Sequence, residues 1–147
     1  VAGETTVWNP WRALRERPHL QLAWGRLSHG KGRIVDHGDG QRTVTLDTRL
    51  TRIDRNAVLA HELVHDELDF LWARGTPAAI VAHGERVVDR IVADRLVPPQ
   101  LLHQFVYAYS ELEGVTITVA ADEFQVPLDV ADLALQRLPF WRAEAVG

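Results

Sequence analysis

The chain has 147 residues, of which 46% are hydrophobic and 24% charged, with a formal net charge of −4 and no cysteine. That length and apolar content suffice for one compact domain with a real core, while the mildly acidic balance and the absence of a long basic run disfavour nucleic-acid binding by the domain alone. Without cysteine there are neither disulfides nor thiolate metal sites, so any metal must be held by nitrogen and oxygen.

No apolar stretch approaches the length of a membrane span, and the first residues do not form a signal-peptide core. Residues 1–4 read as a flexible start. A cytoplasmic protein that avoids membranes is the default expectation, although a trimmed secreted protein would leave the same trace.

The first helical signal is Asn9-Pro10-Trp11, in which Asn9 can cap, Pro10 suits the first turn, and Trp11 and Leu14 follow at a spacing of three. Pro18 stops it. Residues 19–27 alternate, with Leu20, Leu22 and Trp24 on one side, and read as a strand. Ser28-His29-Gly30-Lys31-Gly32 is a turn, and residues 33–36 make a second short strand. His37-Gly38-Asp39-Gly40 is a tight turn, and Val44 and Leu46 alternate with polar residues in a third strand. Three short strands joined by glycine-rich turns predict an antiparallel meander with one face packed on a helix.

Thr51 and Asp54 each offer a cap for a helix predicted to run to about Trp72 or Arg74. Gly75-Thr76-Pro77 closes it, and a second long helix spans about 77–95, with Gly84 as its weak point. Pro98 ends that helix, and Pro99 opens a third through about Tyr109. Gly114 breaks the pattern. The β-branched residues 115–119 suggest a strand, whereas 120–124 read as helix. Residues 127–138 form a further helix with Val130, Leu133, Ala134 and Leu138 as its stripe. The expected fold class is α+β: a small three-stranded antiparallel sheet packed on a helical bundle, in one domain over 1–147. Within it, 1–50 hold the first helix and sheet, 51–98 the two long helices, and 99–147 the remaining helical part.

The most informative feature is His61-Glu62-Leu63-Val64-His65. Positions four apart on a helix share a face, so His61 and His65 can aim at one metal ion. Glu62 lies one step round, in reach of a water on that ion. The pattern reads as a zinc hydrolase, most often a peptidase, with one Zn2+ and Glu62 as the proton-transferring base. The bland alternative makes both histidines ordinary residues of an amphipathic helix. It would place two histidines and a glutamate in an apolar segment for no chemical return, and buried polar groups are costly without partners.

Hydrolytic zinc takes three protein ligands. The longer motif with a third histidine is absent, since Asp66-Glu67-Leu68-Asp69-Phe70 follow His65. Glu85 and Asp89, four apart on the next helix, are the stronger candidates. Glu85 can bind the metal while Asp89 accepts the free ring N–H of a ligand histidine. Asp66, Glu67 and Asp69 read as a polar face, with Glu67 as fallback ligand. His83, His103, Tyr107 and Tyr109 are available oxyanion donors, although His83 points away from Glu85 on a regular helix. A small chain leaves little wall for a deep pocket. An extended polypeptide in a shallow groove, adding to the sheet edge, is the expected substrate.

Residues 54–98, from Asp54-Arg55-Asn56-Ala57 through His61-Glu62-Leu63-Val64-His65 and Glu85-Arg86-Val87-Val88-Asp89 to Leu96-Val97-Pro98, resemble the ImmA/IrrE family of compact metallopeptidases. The small three-stranded opening, Asn9-Pro10-Trp11 and Phe124-Gln125-Val126 also fit. Val97 stands where methionine is common, and Pro127 replaces a serine. The resemblance covers about 130 residues, and only its metal motifs are specific. It implies His61, His65 and Glu85 as zinc ligands, Glu62 as base, and helix near 118–124, which is preferred here to the β-branched strand reading. It further implies an enzyme of prophage or mobile-element type that cleaves a partner transcriptional repressor. The alternative is a catalytically weak or inactive metal-binding module that binds a DNA-binding regulator.

Overall fold

The computed structural model describes residues 7–110, 114–139 and 141; residues 1–4, read as a flexible start, lie outside them. The chain divides into two compact units, Asn9–Val92 on the one hand and Val1–Trp8 with Ala93–Gly147 on the other.

In the Asn9–Val92 unit, the Asn9 side chain accepts hydrogen bonds from the N–H groups of Trp11 and Arg12 at 2.9 and 3.2 Å. Helix α1 follows over Pro10–Arg15, with proline at a position where no intrahelical donor is needed. Strands β1 (Leu20–Gly25), β2 (Gly32–Asp36) and β3 (Arg42–Asp47) come next. The alternation in β3 places Val44 and Leu46 wholly inside.

The fold is α+β as expected, but the antiparallel meander is corrected to a mixed sheet of order β1-β3-β2. Strands β2 and β3 form an antiparallel hairpin, and β1 lies parallel on the other edge of β3. Asp47 supplies the physical reason. Buried at the end of β3, its carboxylate accepts the N–H of Leu27 at 3.0 Å, the N–H of Arg49 at 2.8 Å and the Arg49 guanidinium at 2.7 Å. These donors, Arg49 foremost, hold its carboxyl well below the usual carboxylate range. The Asp47 N–H in turn reaches the Lys31 carbonyl at 2.9 Å, and the Thr48 N–H reaches that of Gly25 at 3.0 Å. The 26–31 link is thereby tied across the end of β3, which seats β1 and β2 on opposite edges. Six residues easily cover the two strand spacings of about 4.8 Å each that this requires.

Helix α2 (Arg52–Leu68) is capped by Thr51, whose side chain accepts from the Asp54 N–H at 3.2 Å. Its buried side, Leu59, Ala60, Leu63 and Val64, belongs to the core. It packs on β2, β3 and α1. It stops at Leu68, short of the expected Trp72 or Arg74. Asp69 turns left-handed at φ 56°, and the N–H of Phe70 closes on the His65 carbonyl at 3.1 Å. Aspartate tolerates this conformation better than most residues, so the helix ends without a glycine. Helix α3 (Ala78–Leu96) matches its expected span closely.

Asp66 explains why the end of α2 is held firmly to the sheet. Its buried carboxylate meets Arg42 Nη1 at 2.9 Å, His19 Nε2 at 2.9 Å and Arg17 Nη1 at 3.5 Å. Arg42 also bonds Asp36 at 3.0 Å and Asp69, and Arg17 bonds Glu67 at 3.2 Å. Asp66→Ala would remove the buried carboxylate that Arg17, His19 and Arg42 share, while Arg42 keeps Asp36 and Asp69 and Arg17 keeps Glu67. It is expected to lower the unfolding free energy by about 1.5–3 kcal/mol, read from the urea midpoint. A loss under about 1 kcal/mol would reduce the network to an ordinary surface contact.

The remaining unit holds α4 (Pro99–Ser110), α5 (Ile117–Phe124) and α6 (Leu128–Leu135). Leu102, Val106, Ala120, Ala131 and Leu135 form its core, and Asp94 pairs with Arg137. The β-branched residues at 117–119 are helical and not a strand. Thr116 caps them by accepting the Val119 N–H at 3.1 Å. No helix among the described residues is long and apolar enough to cross a membrane.

Candidate metal centre

The spacing of His61 and His65 on α2 brings their Nε2 atoms to 3.1 Å from each other. Glu85 arrives from α3 and closes a triangle: its Oε2 lies 3.1 Å from His61 Nε2, and its Oε1 lies 3.1 Å from His65 Nε2. A four-coordinate ion with bonds of about 2.0–2.1 Å separates its ligand atoms by about 3.3 Å. The three side chains therefore form a group that could hold a metal ion.

The other ring nitrogens test this fit independently. His65 Nδ1 lies 2.7 Å from the carbonyl oxygen of Phe70, and His61 Nδ1 lies 3.3 Å from Asp89 Oδ1. Each acceptor calls for the proton on Nδ1, which leaves the Nε2 lone pair turned toward the triangle. Such outer bonds fix the tautomer and strengthen a ligand imidazole. Burial works against a charged His61, yet the Asp89 hydrogen bond and the charges of Glu62 and Glu85 outweigh it and raise its pKa. The site is thus a place of concentrated negative potential, which favours a cation.

Glu62 is buried beside the pair, and burial lifts its pKa above the ordinary glutamate value against the pull of His61 and His65. It shares with His61, His65 and Glu85 a cavity of about 360 Å³. The rest of the lining is Gly32 and Ile34 of β2 with Phe70, Leu71 and Trp72 of the α2–α3 connection. Gly32 is required by close approach, because a Cβ there would sit 2.5 Å from Val58 Cγ1 and 3.2 Å from Glu62 Oε1. The backbone of an edge strand consequently runs against the Glu62 carboxylate.

Comparison with protein-family models, curated proteins and solved structures gives no match for this chain.

Of the residues singled out in the sequence, His61, Glu62, His65, Glu85 and Asp89 come together. Glu67, the fallback ligand, is on the outer side of α2 and bonds Arg17. His83 is exposed on α3 and does not line the cavity. His103, Tyr107 and Tyr109 lie on α4, in the other compact unit. Sequence reasoning passed over three contributors. Gly32 gives no signal beyond its place in a turn. The Phe70 carbonyl is a backbone group and has no residue signature. Trp72 reads in the sequence as the end of a helix, but its Nε1–H donates to Glu85 Oε1 at 2.9 Å. The readable hint was Gly84, since a glycine inside a helix costs about 1 kcal/mol relative to alanine and needs a reason.

Proposed function

We propose that this chain is a zinc-dependent endopeptidase of the ImmA/IrrE type, acting on a polypeptide whose natural form is a DNA-binding repressor. The observation that carries the reading is the 3.1 Å triangle of His61, His65 and Glu85, with buried Glu62 in the same cavity. Two imidazoles and one carboxylate make a donor set suited to hydrolytic zinc, and they leave a coordination position for water or substrate. Bound zinc supplies Lewis acidity to the attacking water and to the scissile carbonyl.

The chain's own groups supply the rest. The Glu62 carboxylate takes the proton of the attacking water and delivers it to the leaving amine. Its lifted pKa suits both halves of that task. Among the described residues strand β2 is paired on one side only, to β3, so its other edge can take up an extended segment by backbone hydrogen bonds beside Glu62. This supports a polypeptide substrate over a compact small molecule. The net charge of −4 suits contact with a basic DNA-binding partner. The likeness of residues 54–98 to that family supports the repressor as substrate, and an enzyme that meets such a repressor works in the cytoplasm.

Purified protein is expected to carry close to one equivalent of zinc and to cut a helix-turn-helix repressor encoded beside it, with cleavage stopped by chelator. Less than about half an equivalent, under conditions that do not strip metal, would sink the enzyme reading. Full zinc with no cleavage of any partner would favour a metal-bearing interaction module.

A further inference from the structure

The connection between α2 and α3 touches both kinds of ligand. Its Phe70 carbonyl meets His65 Nδ1 at 2.7 Å, and its Trp72 indole donates to Glu85 Oε1 at 2.9 Å. We propose that Trp72 is a positioning residue for Glu85: its indole N–H holds carboxylate Oε1, the oxygen that lies 3.1 Å from His65 Nε2, and so fixes the carboxylate against the two imidazoles. The proposal rests on the reading of His61, His65 and Glu85 as metal ligands.

Three independent features show that the indole is built into place. Its plane stands edge-on to the His65 ring, with centroids 6.3 Å apart at 89°. Phe70 lies against it at 5.3 Å. Most telling is Gly84, the residue before Glu85. A Cβ at that position would fall 2.1 Å from Trp72 Cη2 and 2.4 Å from Cζ2. The indole therefore lies where a side chain at position 84 would be, and the bare turn of α3 presents the next residue, Glu85, to its N–H. The flexible Glu85 side chain is about one-third exposed. On its own it would sample several rotamers. A single fixed donor narrows that choice before any metal arrives, which is how an outer hydrogen bond raises metal affinity.

Two variants separate this role from packing. Trp72→Phe keeps a smaller aromatic ring beside Phe70 and His65 but removes the donor, together with the outer ring that covers Gly84. Gly84→Ala keeps the donor but displaces the ring. Zinc affinity, measured by competition with a chromophoric chelator at a temperature where every variant is folded, is expected to fall about 10–100-fold in each. The urea midpoint of metal-free Trp72→Phe should fall only slightly, for the outer ring it loses, and far less than the affinity does. Since both changes break one link, the double variant should bind no more weakly than the weaker single. Parent affinity in Trp72→Phe, alongside lost binding in Glu85→Ala, would overturn the proposal and leave the metal reading standing. A fall in affinity matched by a fall in the metal-free midpoint would also overturn it, assigning Trp72 to packing. If Glu85→Ala binds zinc as the parent does, the metal reading itself fails and takes this proposal with it.

Discussion

Glu62→Gln is expected to keep its fold and its zinc and to lose turnover by about 10²–10⁴-fold, the usual worth of a positioned acid–base group. Glutamine matches glutamate in shape, so the buried site beside Gly32 is not emptied or overfilled. What changes is proton traffic, because an amide cannot take a proton from water at neutral pH. The ligand triangle does not include Glu62, so metal content should stay near that of the parent. Elemental analysis and a cleavage time course on the same preparation read both quantities. A variant that loses zinc as completely as His61→Ala does would move Glu62 from proton transfer to coordination.

The site was more legible than the sheet. His61 and His65 are four apart on one helix, and Glu85 and Asp89 repeat that spacing on the next. Helical periodicity alone therefore places each pair on a face. The connection over residues 69–77 brings the second helix back so that Glu85 meets both histidines. Strand existence was equally plain at Val44 and Leu46, where alternation set the buried face. Strand order was not, because a period of two tells which way a side chain points and nothing about which strand lies alongside. The deciding bonds run from Asp47 to Leu27 and Lys31, far back in the chain. No local pattern announces them.

The same contrast governs the ends of α2 and α5. Phe70-Leu71-Trp72 continues the apolar character of α2, yet Asp69 turns left-handed and the helix stops. At Thr116 a side-chain cap outweighs the β-branching of Ile117, Thr118 and Val119. One outcome follows from a side chain reaching a backbone N–H and the other from a single residue in the left-handed region, effects that composition over a window averages away.

Glu85→Ala is expected to weaken zinc binding by more than about 100-fold, beyond what loss of an outer-shell partner alone costs. It removes one of three ligand atoms and leaves the Trp72 N–H without this acceptor. Asp89→Ala should be milder, about 10–100-fold, because it loses only the 3.3 Å contact to His61 Nδ1 and spares the triangle. Thermal melting with and without added zinc makes the order visible. Free zinc at a hundred times the dissociation constant stabilises a folded protein by about 2.7 kcal/mol. The parent should therefore melt several degrees higher with metal, Asp89→Ala should need more zinc for the same rise, and Glu85→Ala should show little rise at concentrations that saturate the parent. An undiminished rise in Glu85→Ala would give the third position to another group and would dissolve the triangle on which the hydrolase reading stands.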